Sequence, residues 1–339
     1  MNTSDLLKKL IARQDLTESE AFEAVTAILA GQLTEGQIGA FLATLSSKGE
    51  TIDEIAAGAR AMRAAATRVQ SLSANTLDTV GTGGDGGMTF NVSTTVAFVA
   101  AGAGAIVAKH GNRASSGKSG SADCLEQLGL NLAAEPEIME QALNEIGITF
   151  LFAPSFHKAM RFAGPVRKQL GVRTLFNLLG PLSNPASAPC QLIGVFAPEL
   201  TETFAEVLKK LGSRRVLVVH GHDGMDEITL TTTTRCSELK DGKIKTYDID
   251  PAVFFENPCS AVDLEGGTPA DNALIMRALL TGGLHGPKRD IVLINAAASL
   301  LAANQVADLA EGIRKAAESI DSGAAYDKLE RLIAFSKQP

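Results

Sequence analysis

Glycine dominates the segment that follows a short apolar run at residues 77–80. Five of the seven positions 81–87 are glycine, and a helical pattern comes after this loop. Glycine allows positive φ angles and a close approach of the backbone, so successive N–H groups in such a loop can converge on an anion. Many turns between a strand and a helix are glycine-rich for packing alone, so the loop by itself leaves both a phosphate site and a structural turn open.

Polar residues mark the start of the next helix, which is predicted over residues 94–104. Asn91, Ser93 and Thr94 stand at this start. These residue types are common N-caps. The free N–H groups and the positive dipole end of a helix start also hold phosphate. The two interpretations are compatible, because a bound phosphate uses the donors that a cap would otherwise satisfy.

A second polar segment, residues 109–117, directly follows a strand predicted at residues 105–108. Ligands collect at the strand ends of open α/β sheets. The segment holds two cations, an imidazole, an amide and two hydroxyls, which is more than a connecting turn needs. A solvated basic loop is the alternative. Ser121 begins another predicted helix and offers a further anion site.

Adjacent carboxylates, Asp226 and Glu227, follow a strand predicted at residues 216–220. Mg²⁺ often takes one or two protein carboxylates together with substrate phosphates and water, so this loop predicts a magnesium site. An acidic surface turn is the alternative. His220 and His222 could indicate zinc, but no cysteine or third histidine has a suitable spacing.

The composition is that of a globular protein with an acidic surface. Hydrophobic residues make up 45% of the 339 residues, and the formal net charge is −7. Binding to a nucleic-acid backbone needs a basic face, so no nucleic-acid partner is expected. The longest apolar stretches are too short to span a bilayer, so no membrane partner is expected. Four widely spaced cysteines and a charged, amphipathic N-terminal helix indicate a cytoplasmic protein.

Helices alone are predicted for the first seventy or so residues. Capping-box patterns begin at Thr17, Thr34 and Thr51, and each precedes apolar residues at helical spacing. With an apolar stripe near the N-terminus, they predict four helices of a small bundle.

Strands and helices alternate from about residue 77, which predicts a largely parallel sheet covered by helices. The predicted strands are residues 77–80, 105–108, 148–152, 192–196 and 216–220. A hairpin is predicted around Asp241-Gly242, and further helices begin at Thr268-Pro269. Residues 163–189 are either a linker or a return of the chain to the helical domain.

Several long motifs, in order along nearly the whole chain, resemble those of the anthranilate phosphoribosyltransferases. The matching segments are residues 81–85, 91–94, 109–117, 165–170, 173–185, 221–227, 266–269 and 322–326. The resemblance implies an α/β fold, with a small N-terminal all-helical domain and a larger α/β domain around a central, mostly parallel sheet. The expected boundaries are residues 1–72, rejoined by 163–188, for the helical domain, and 73–162 with 189–339 for the other. A homodimer through the helical domain is also implied.

The resemblance further implies which residues bind phosphoribosyl pyrophosphate (PRPP), Mg²⁺ and anthranilate. The PRPP-binding positions would be Gly81, Gly84, Asp85, Thr89, Asn91, Val92, Ser93, Thr94, Lys109, His110, Gly111, Asn112, Arg113, Ala114, Ser115, Ser116, Gly117 and Ser121. Ser93, Asp226 and Glu227 would bind Mg²⁺, and Gly81, Asn112 and Arg167 would contact anthranilate.

The implied reaction transfers the phosphoribosyl group of PRPP to the amine of anthranilate, in tryptophan biosynthesis. Pyrophosphate leaves ribose C1 through a transition state with oxocarbenium character. Mg²⁺ and the glycine loop would stabilise the leaving pyrophosphate. The aromatic amine is already neutral near pH 7, so a strong general base is not required. His110 could accept a proton or serve as a contact, and Arg167 could pair with the anthranilate carboxylate.

Two other functions remain alternatives. A pyrimidine nucleoside phosphorylase on the same fold would use inorganic phosphate, but the 109–117 segment and the Asp226-Glu227 pair match the PRPP-dependent enzymes. A catalytically silent relative that binds nucleic acid should carry an extended basic face, whereas this chain is acidic.

Overall fold

Four helices form the N-terminal bundle of the computed structural model, which describes residues 3–83, 89–114, 117–256 and 259–338. Their bounds are α1 Thr3–Ile11, α2 Glu18–Leu29, α3 Glu35–Lys48 and α4 Ile52–Ala65. The three predicted capping boxes are confirmed, because each threonine hydroxyl accepts a hydrogen bond from the backbone N–H three residues on. The side chain at that third position accepts one from the threonine N–H in return.

A seven-stranded sheet forms the centre of the larger domain. Its strands are β1 Leu77–Gly81, β2 Val107–Gly111, β3 Ile148–Phe152, β4 Cys190–Gly194, β5 Arg215–Gly221, β6 Thr234–Lys240 and β7 Lys243–Ile249. Their order is β3-β2-β1-β4-β5-β6-β7; the first five pair in parallel, and β6 and β7 add an antiparallel hairpin. The chain runs outward from β1 to β3 and returns at β4 on the other side of β1. The strand order therefore switches between β1 and β4.

Helices cover both faces of the sheet, as the expected fold class requires. The helices that follow β1 along the chain are α5 Val92–Gly102, α6 Ser121–Gln127, α7 Pro136–Ile146, α8 Ala153–Phe156, α9 Gly164–Leu170, α10 Leu175–Leu182, α11 Leu200–Lys210, α12 Pro269–Leu280, α13 Pro287–Ala302, α14 Leu309–Asp321 and α15 Ala324–Phe335. Alternate strand residues enter different cores: Leu192 and Leu217 pack with α5 and α12–α15, whereas Ile193 and Val218 pack with α11 and the N-terminal bundle. None of the helices in the described ranges is long and apolar enough to cross a membrane.

Strand β2 is shifted toward the C-terminus relative to the prediction of residues 105–108. It begins at Val107 and continues to Gly111, so Lys109 and His110 lie buried within the strand instead of in the loop after it. The Lys109 ammonium and the His110 backbone find hydrogen-bond partners there. The Lys109 ammonium donates to the Thr79 carbonyl, and the His110 N–H donates to Asp78 Oδ1 (3.0 Å).

The segment from Ala163 to α10 packs against the N-terminal bundle. Ala163 and the apolar side chains of α9 and α10 share one hydrophobic core with α2, α3 and α4. A Cβ atom at Gly58 of α4 would lie 3.1 Å from Leu179 Cδ1, and Arg63 Nε donates to the Leu182 carbonyl (2.7 Å). Of the two alternatives for this segment, the packing favours a return to the helical domain. The exact domain boundaries stay a prediction.

Candidate active site

The carboxyl ends of β1 and β4 meet at the point where the strand order switches. Ligands in open α/β sheets bind in the crevice at such a point. Gly81 and Gly194 are paired across these two strand ends. Asp226 lies directly over them: a Cβ atom at Gly81 would be 2.5 Å from Asp226 Oδ2, and one at Gly194 would be 1.5 Å from the Asp226 carbonyl oxygen. Because neither glycine has a side chain, the acidic turn that carries Asp226 and Glu227 can pack directly against the carboxyl ends of β1 and β4.

The first residues of the glycine loop contact the same carboxylate. Gly83 has a positive φ of 64° and donates its N–H to Asp226 Oδ2 (2.9 Å). The loop is therefore oriented with a backbone donor toward the switch point. The predicted site residues Gly84 and Asp85 lie outside the described residues.

The start of α5 lies beside this loop, and Asn91 does not cap it. The Asn91 side chain makes no cap hydrogen bond; its amide donates to the Ser119 carbonyl (3.1 Å) and its oxygen accepts from Ser119 Oγ (3.1 Å) and Asn272 Nδ2 (3.0 Å). Asn91 thereby ties the helix start to the segment before α6 and to α12. The phosphate interpretation of this helix start needs its first N–H groups, and the Asn91 side chain does not occupy them.

The Lys109 side chain, which comes from β2, also reaches the start of α5. Its buried ammonium donates to the Thr79 carbonyl and to Ser93 Oγ (3.3 Å). Burial lowers its pKa to about 8, while the charges of Asp78 and Glu227 act in the opposite direction. Lys109 therefore remains mostly protonated at neutral pH, with its charge beside the start of α5.

Asp78 is the buried counter-charge of Lys109, and it was not among the predicted site residues. Its carboxylate accepts from the His110 N–H (3.0 Å) and from Asn184 Nδ2 (2.7 Å). Burial raises the pKa of Asp78 to about 6, and the Lys109 charge opposes this rise. The available signal was a carboxylate inside an otherwise apolar strand. Asn184 also donates to the Ala108 carbonyl (2.8 Å), so it fastens the returning segment to β1 and β2.

Two histidines stand next to each other on the side of the site toward α10. The His110 and His157 ring centroids are 5.1 Å apart. Burial lowers the pKa of His110 to about 3 and that of His157 to about 4. Both Nε2 atoms are buried and bond to no other atom of the described chain. At neutral pH both imidazoles are uncharged. His157 was missed, since nothing near it in the sequence resembles a site motif.

Arg167 lies on α9, in the segment that packs with the helical bundle. Its guanidinium carbon is 5.6 Å from the centroid of the Phe176 ring on α10. Its Nε is buried without a hydrogen-bond partner among the described atoms, and burial lowers its pKa. A stacked, half-buried guanidinium with a free donor is suited to a carboxylate ligand.

The remaining predicted residues of the 109–121 segment form a separate cluster. Arg113 makes a bidentate pair with Glu126 (2.8 and 2.9 Å) and reaches Asp123 (2.8 Å). The Asn112 carbonyl accepts from Ser121 Oγ (3.3 Å). These contacts hold the segment against α6. Ser115 and Ser116 lie outside the described residues.

The predicted metal ligands provide suitable donors for Mg²⁺. Ser93 Oγ and the carboxylates of Asp226 and Glu227 are hard oxygen donors, and Mg²⁺ needs only one or two carboxylates when phosphate and water complete its coordination. In the described ranges no group of three or more His, Cys, Asp or Glu residues could hold a metal. His220 Nδ1 bonds to the Val195 carbonyl (2.7 Å), and His222 Nε2 bonds to Asp248 (3.1 Å).

A cavity of about 400 Å³ lies elsewhere, between the 230–233 segment and the start of α13. Its lining includes Thr231, Thr232, Asp250, Phe255 and Asp290, and none of the predicted site residues.

Comparison with known proteins identifies the family. The helical bundle domain of the glycosyl transferase family matches residues 4–66, and its a/b domain matches residues 73–326. The chain is 56% identical to the anthranilate phosphoribosyltransferase of Desulfosudis oleivorans over 98% of both chains. The crystal structure of that enzyme from Thermus thermophilus has a TM-score of 0.94 at 46% identity, covering 100% of both chains. The enzyme from Saccharomyces cerevisiae in complex with PRPP and Mg has a TM-score of 0.90 at 30% identity, covering 98% and 97%. This chain belongs to the anthranilate phosphoribosyltransferase family.

Proposed function

We propose that this protein transfers the phosphoribosyl group of PRPP to the amine of anthranilate, giving N-(5-phosphoribosyl)anthranilate and pyrophosphate in tryptophan biosynthesis. One observation carries the proposal: the first residues of the glycine loop, the start of α5, the Lys109 ammonium and the Asp226 carboxylate converge on the switch point between β1 and β4. That arrangement is suited to a pyrophosphate with a metal beside it.

PRPP is proposed to bind along the residues assigned to it, from Gly81 through Ser121. The Gly81 backbone and the start of α5 would lie against the leaving pyrophosphate, and Lys109 supplies a fixed positive charge. Because Lys109 is already held by the Thr79 carbonyl and Ser93 Oγ, little reorganisation is needed when charge develops on the leaving group.

Mg²⁺ is the proposed cofactor, held by Ser93, Asp226 and Glu227. When bound, it would neutralise charge on the departing pyrophosphate. The turn that carries the two carboxylates rests on Gly81 and Gly194, which fixes the carboxylate of Asp226 at the strand ends.

Anthranilate is proposed to lie against Gly81, Asn112 and Arg167. The Arg167 guanidinium, stacked on Phe176, would pair with the anthranilate carboxylate through its planar fork. His110, neutral at pH 7, has an accepting nitrogen that could contact the amine. Its low basicity is consistent with a reaction in which no strong general base is needed.

We further propose the domain boundaries given above, a cytoplasmic location and a homodimer through the helical domain. The packing of α9 and α10 on α3 and α4 supports the boundaries, and the family relationship supports the homodimer. Light scattering of the purified protein tests the homodimer, which requires twice the chain mass of 35.4 kDa.

The activity is tested by mixing the protein with PRPP, Mg²⁺ and anthranilate and following the loss of anthranilate fluorescence. Mass spectrometry of the product should show phosphoribosyl anthranilate. A parallel reaction with uridine and inorganic phosphate tests the phosphorylase alternative. Release of uracil without consumption of anthranilate would replace the proposed function by nucleoside phosphorolysis.

A further inference from the structure

The acidic turn that carries Asp226 and Glu227 has no regular secondary structure of its own. It lies between the end of β5 at Gly221 and the start of β6 at Thr234. A metal site requires its carboxylates to keep a defined position, and an irregular turn does not supply this by itself. The position must come from contacts that other elements make with the turn.

Asn295 of α13 makes such a contact at the residue next to Glu227. Its Oδ1 accepts from the Ile228 N–H (2.9 Å), and its Nδ2 donates to the Ile228 carbonyl (2.9 Å). Both backbone groups of one residue are thus satisfied by one side-chain amide, 67 positions away in the sequence. Asn295 is fully buried. A third bond, from Nδ2 to the Ile291 carbonyl (2.9 Å), holds the amide against its own helix.

The surroundings of Asn295 show that the amide is not there for packing. Its neighbours on α13, including Ile291, Ile294 and Ala298, are apolar and buried. A polar side chain in an apolar interior costs free energy unless it is fully hydrogen-bonded, and an aliphatic side chain of similar shape would pack there without that cost. The residue type is explained by the bonds to Ile228.

The turn also makes contacts away from α13. Asp223 accepts from Thr229 Oγ1 (2.6 Å), which closes the turn on itself, and the Asp226 backbone rests on Gly194. Neither contact fixes the turn from the side of α13. Asn295 connects α13 to the turn, and its hydrogen bonds are to Ile228, the residue next to Glu227.

We propose that Asn295 is a positioning residue that holds the Asp226-Glu227 turn in the geometry that binds Mg²⁺ with pyrophosphate. The inference rests on the proposed function of that turn. Replacement of Asn295 should weaken metal binding while the anthranilate contacts around Arg167 remain unchanged.

The test compares Asn295→Leu and Asn295→Ser with wild type. Leu keeps the approximate shape and removes both bonds to Ile228, and Ser retains a small polar group in case the Leu variant does not fold. Ser299→Ala is the matched control, because it removes a buried hydrogen bond one turn further along α13, from Ser299 Oγ to the Asn295 carbonyl (2.8 Å), without touching Ile228. The readouts are the Mg²⁺ concentration for half-maximal activity, the anthranilate KM, and Mn²⁺ binding in the presence of pyrophosphate by electron paramagnetic resonance.

We expect the Asn295 variants to need about 10–100-fold more Mg²⁺ and to bind Mn²⁺ with pyrophosphate correspondingly more weakly, as loss of a supporting contact around a metal usually does. The anthranilate KM should stay near wild type, and Ser299→Ala should match wild type in both metal readouts. Unchanged metal binding in a folded Asn295 variant, with only a lower Tm, would overturn the inference. Inactive wild-type protein would instead count against the proposed function, and the Mn²⁺ measurement would still decide the role of Asn295.

Discussion

Single residues of the candidate site combine burial with charge. Lys109 and Asp78 lie on neighbouring strands, both buried, and burial moves the pKa of each toward its neutral form while the other charge opposes this. A buried charge is tolerated when it is paired and hydrogen-bonded, and here the partners are a backbone carbonyl, a hydroxyl, a backbone N–H and a side-chain amide. The result is a cation held in place beside the start of α5.

The double variant Asp226→Asn with Glu227→Gln tests the metal ligands. Neutral amides coordinate Mg²⁺ weakly, so we expect at least a tenfold loss of activity at millimolar Mg²⁺ in a protein that remains folded. Activity measured across a Mg²⁺ titration checks this. Asp241→Asn, in the exposed turn between β6 and β7, is the control and should behave as wild type. Wild-type turnover in the double variant would remove these residues from the metal site.

Arg167→Ala tests acceptor binding. Loss of a charge-assisted contact costs about 1.5–3 kcal/mol, so kcat/KM for anthranilate should fall roughly ten- to a hundredfold while the PRPP KM changes little. Arg167→Lys should recover part of the loss, because it restores the charge without the planar fork. Arg161, whose guanidinium also stacks on a phenylalanine, Phe162 (4.8 Å), provides the matched control Arg161→Ala. Equal damage to both substrates would indicate a structural role for Arg167 instead.

At the scale of elements, the close approach of strands and turn depends on glycine. A Cβ atom at Gly194 would lie 1.5 Å from the Asp226 carbonyl oxygen, and a backbone atom cannot move aside as a flexible side chain can. The acidic turn can therefore keep its position only if residue 194, at the end of β4, has no side chain. Gly81 has the same relation to the Asp226 carboxylate, from β1.

Gly194→Ala should displace the acidic turn. We expect a loss of about 1–3 kcal/mol in the free energy of unfolding, typical of overpacking, together with a higher Mg²⁺ concentration for half-maximal activity. Denaturant unfolding and a Mg²⁺ titration measure the two effects. Gly36→Ala on α3, where an added Cβ atom meets nothing within 4 Å, is the control and should not lose stability. A stable, fully active Gly194→Ala protein would show that the turn is not seated on β4.

Local patterns predicted the elements better than they predicted the contacts between them. Each capping box involves residues three apart, so the helix starts could be predicted from the sequence and are confirmed. The bounds of β2 could not, because burial of Lys109 depends on Thr79 and Ser93 from other elements. Asp78, His157 and Asn295 were missed for the same reason: their partners lie far away in the sequence. The roles of the predicted site residues remain predictions, and Gly84, Asp85, Ser115 and Ser116 lie outside the described residues.

At the scale of the whole molecule, burial of His110 and His157 makes stability depend on pH. Burial lowers the pKa of His157 from 6.5 to about 4, so the folded protein binds a proton less readily than the unfolded chain. The contribution is fully present above pH 6.5 and is lost as the pH falls toward 4. For His157 it amounts to at most about 3 kcal/mol, at about 1.4 kcal/mol per unit of pKa.

His157→Gln should therefore reduce the loss of stability between pH 6.5 and 4. Urea unfolding of the wild type and the variant at several pH values measures the slope. His285→Gln changes an exposed histidine and serves as the control, which should keep the wild-type slope. An unchanged slope in His157→Gln would mean that His157 is not buried as a neutral imidazole in solution.

PRPP is proposed to bind at the carboxyl ends of β1 and β4, and a crystal structure of the protein with PRPP and Mg²⁺ tests this placement. We expect the pyrophosphate between the Gly81 backbone, the start of α5 and Lys109, with the metal bound by Asp226, Glu227 and Ser93. PRPP density in the 400 Å³ cavity beside Thr231 and Asp290, with the β1–β4 crevice occupied only by solvent, would contradict it.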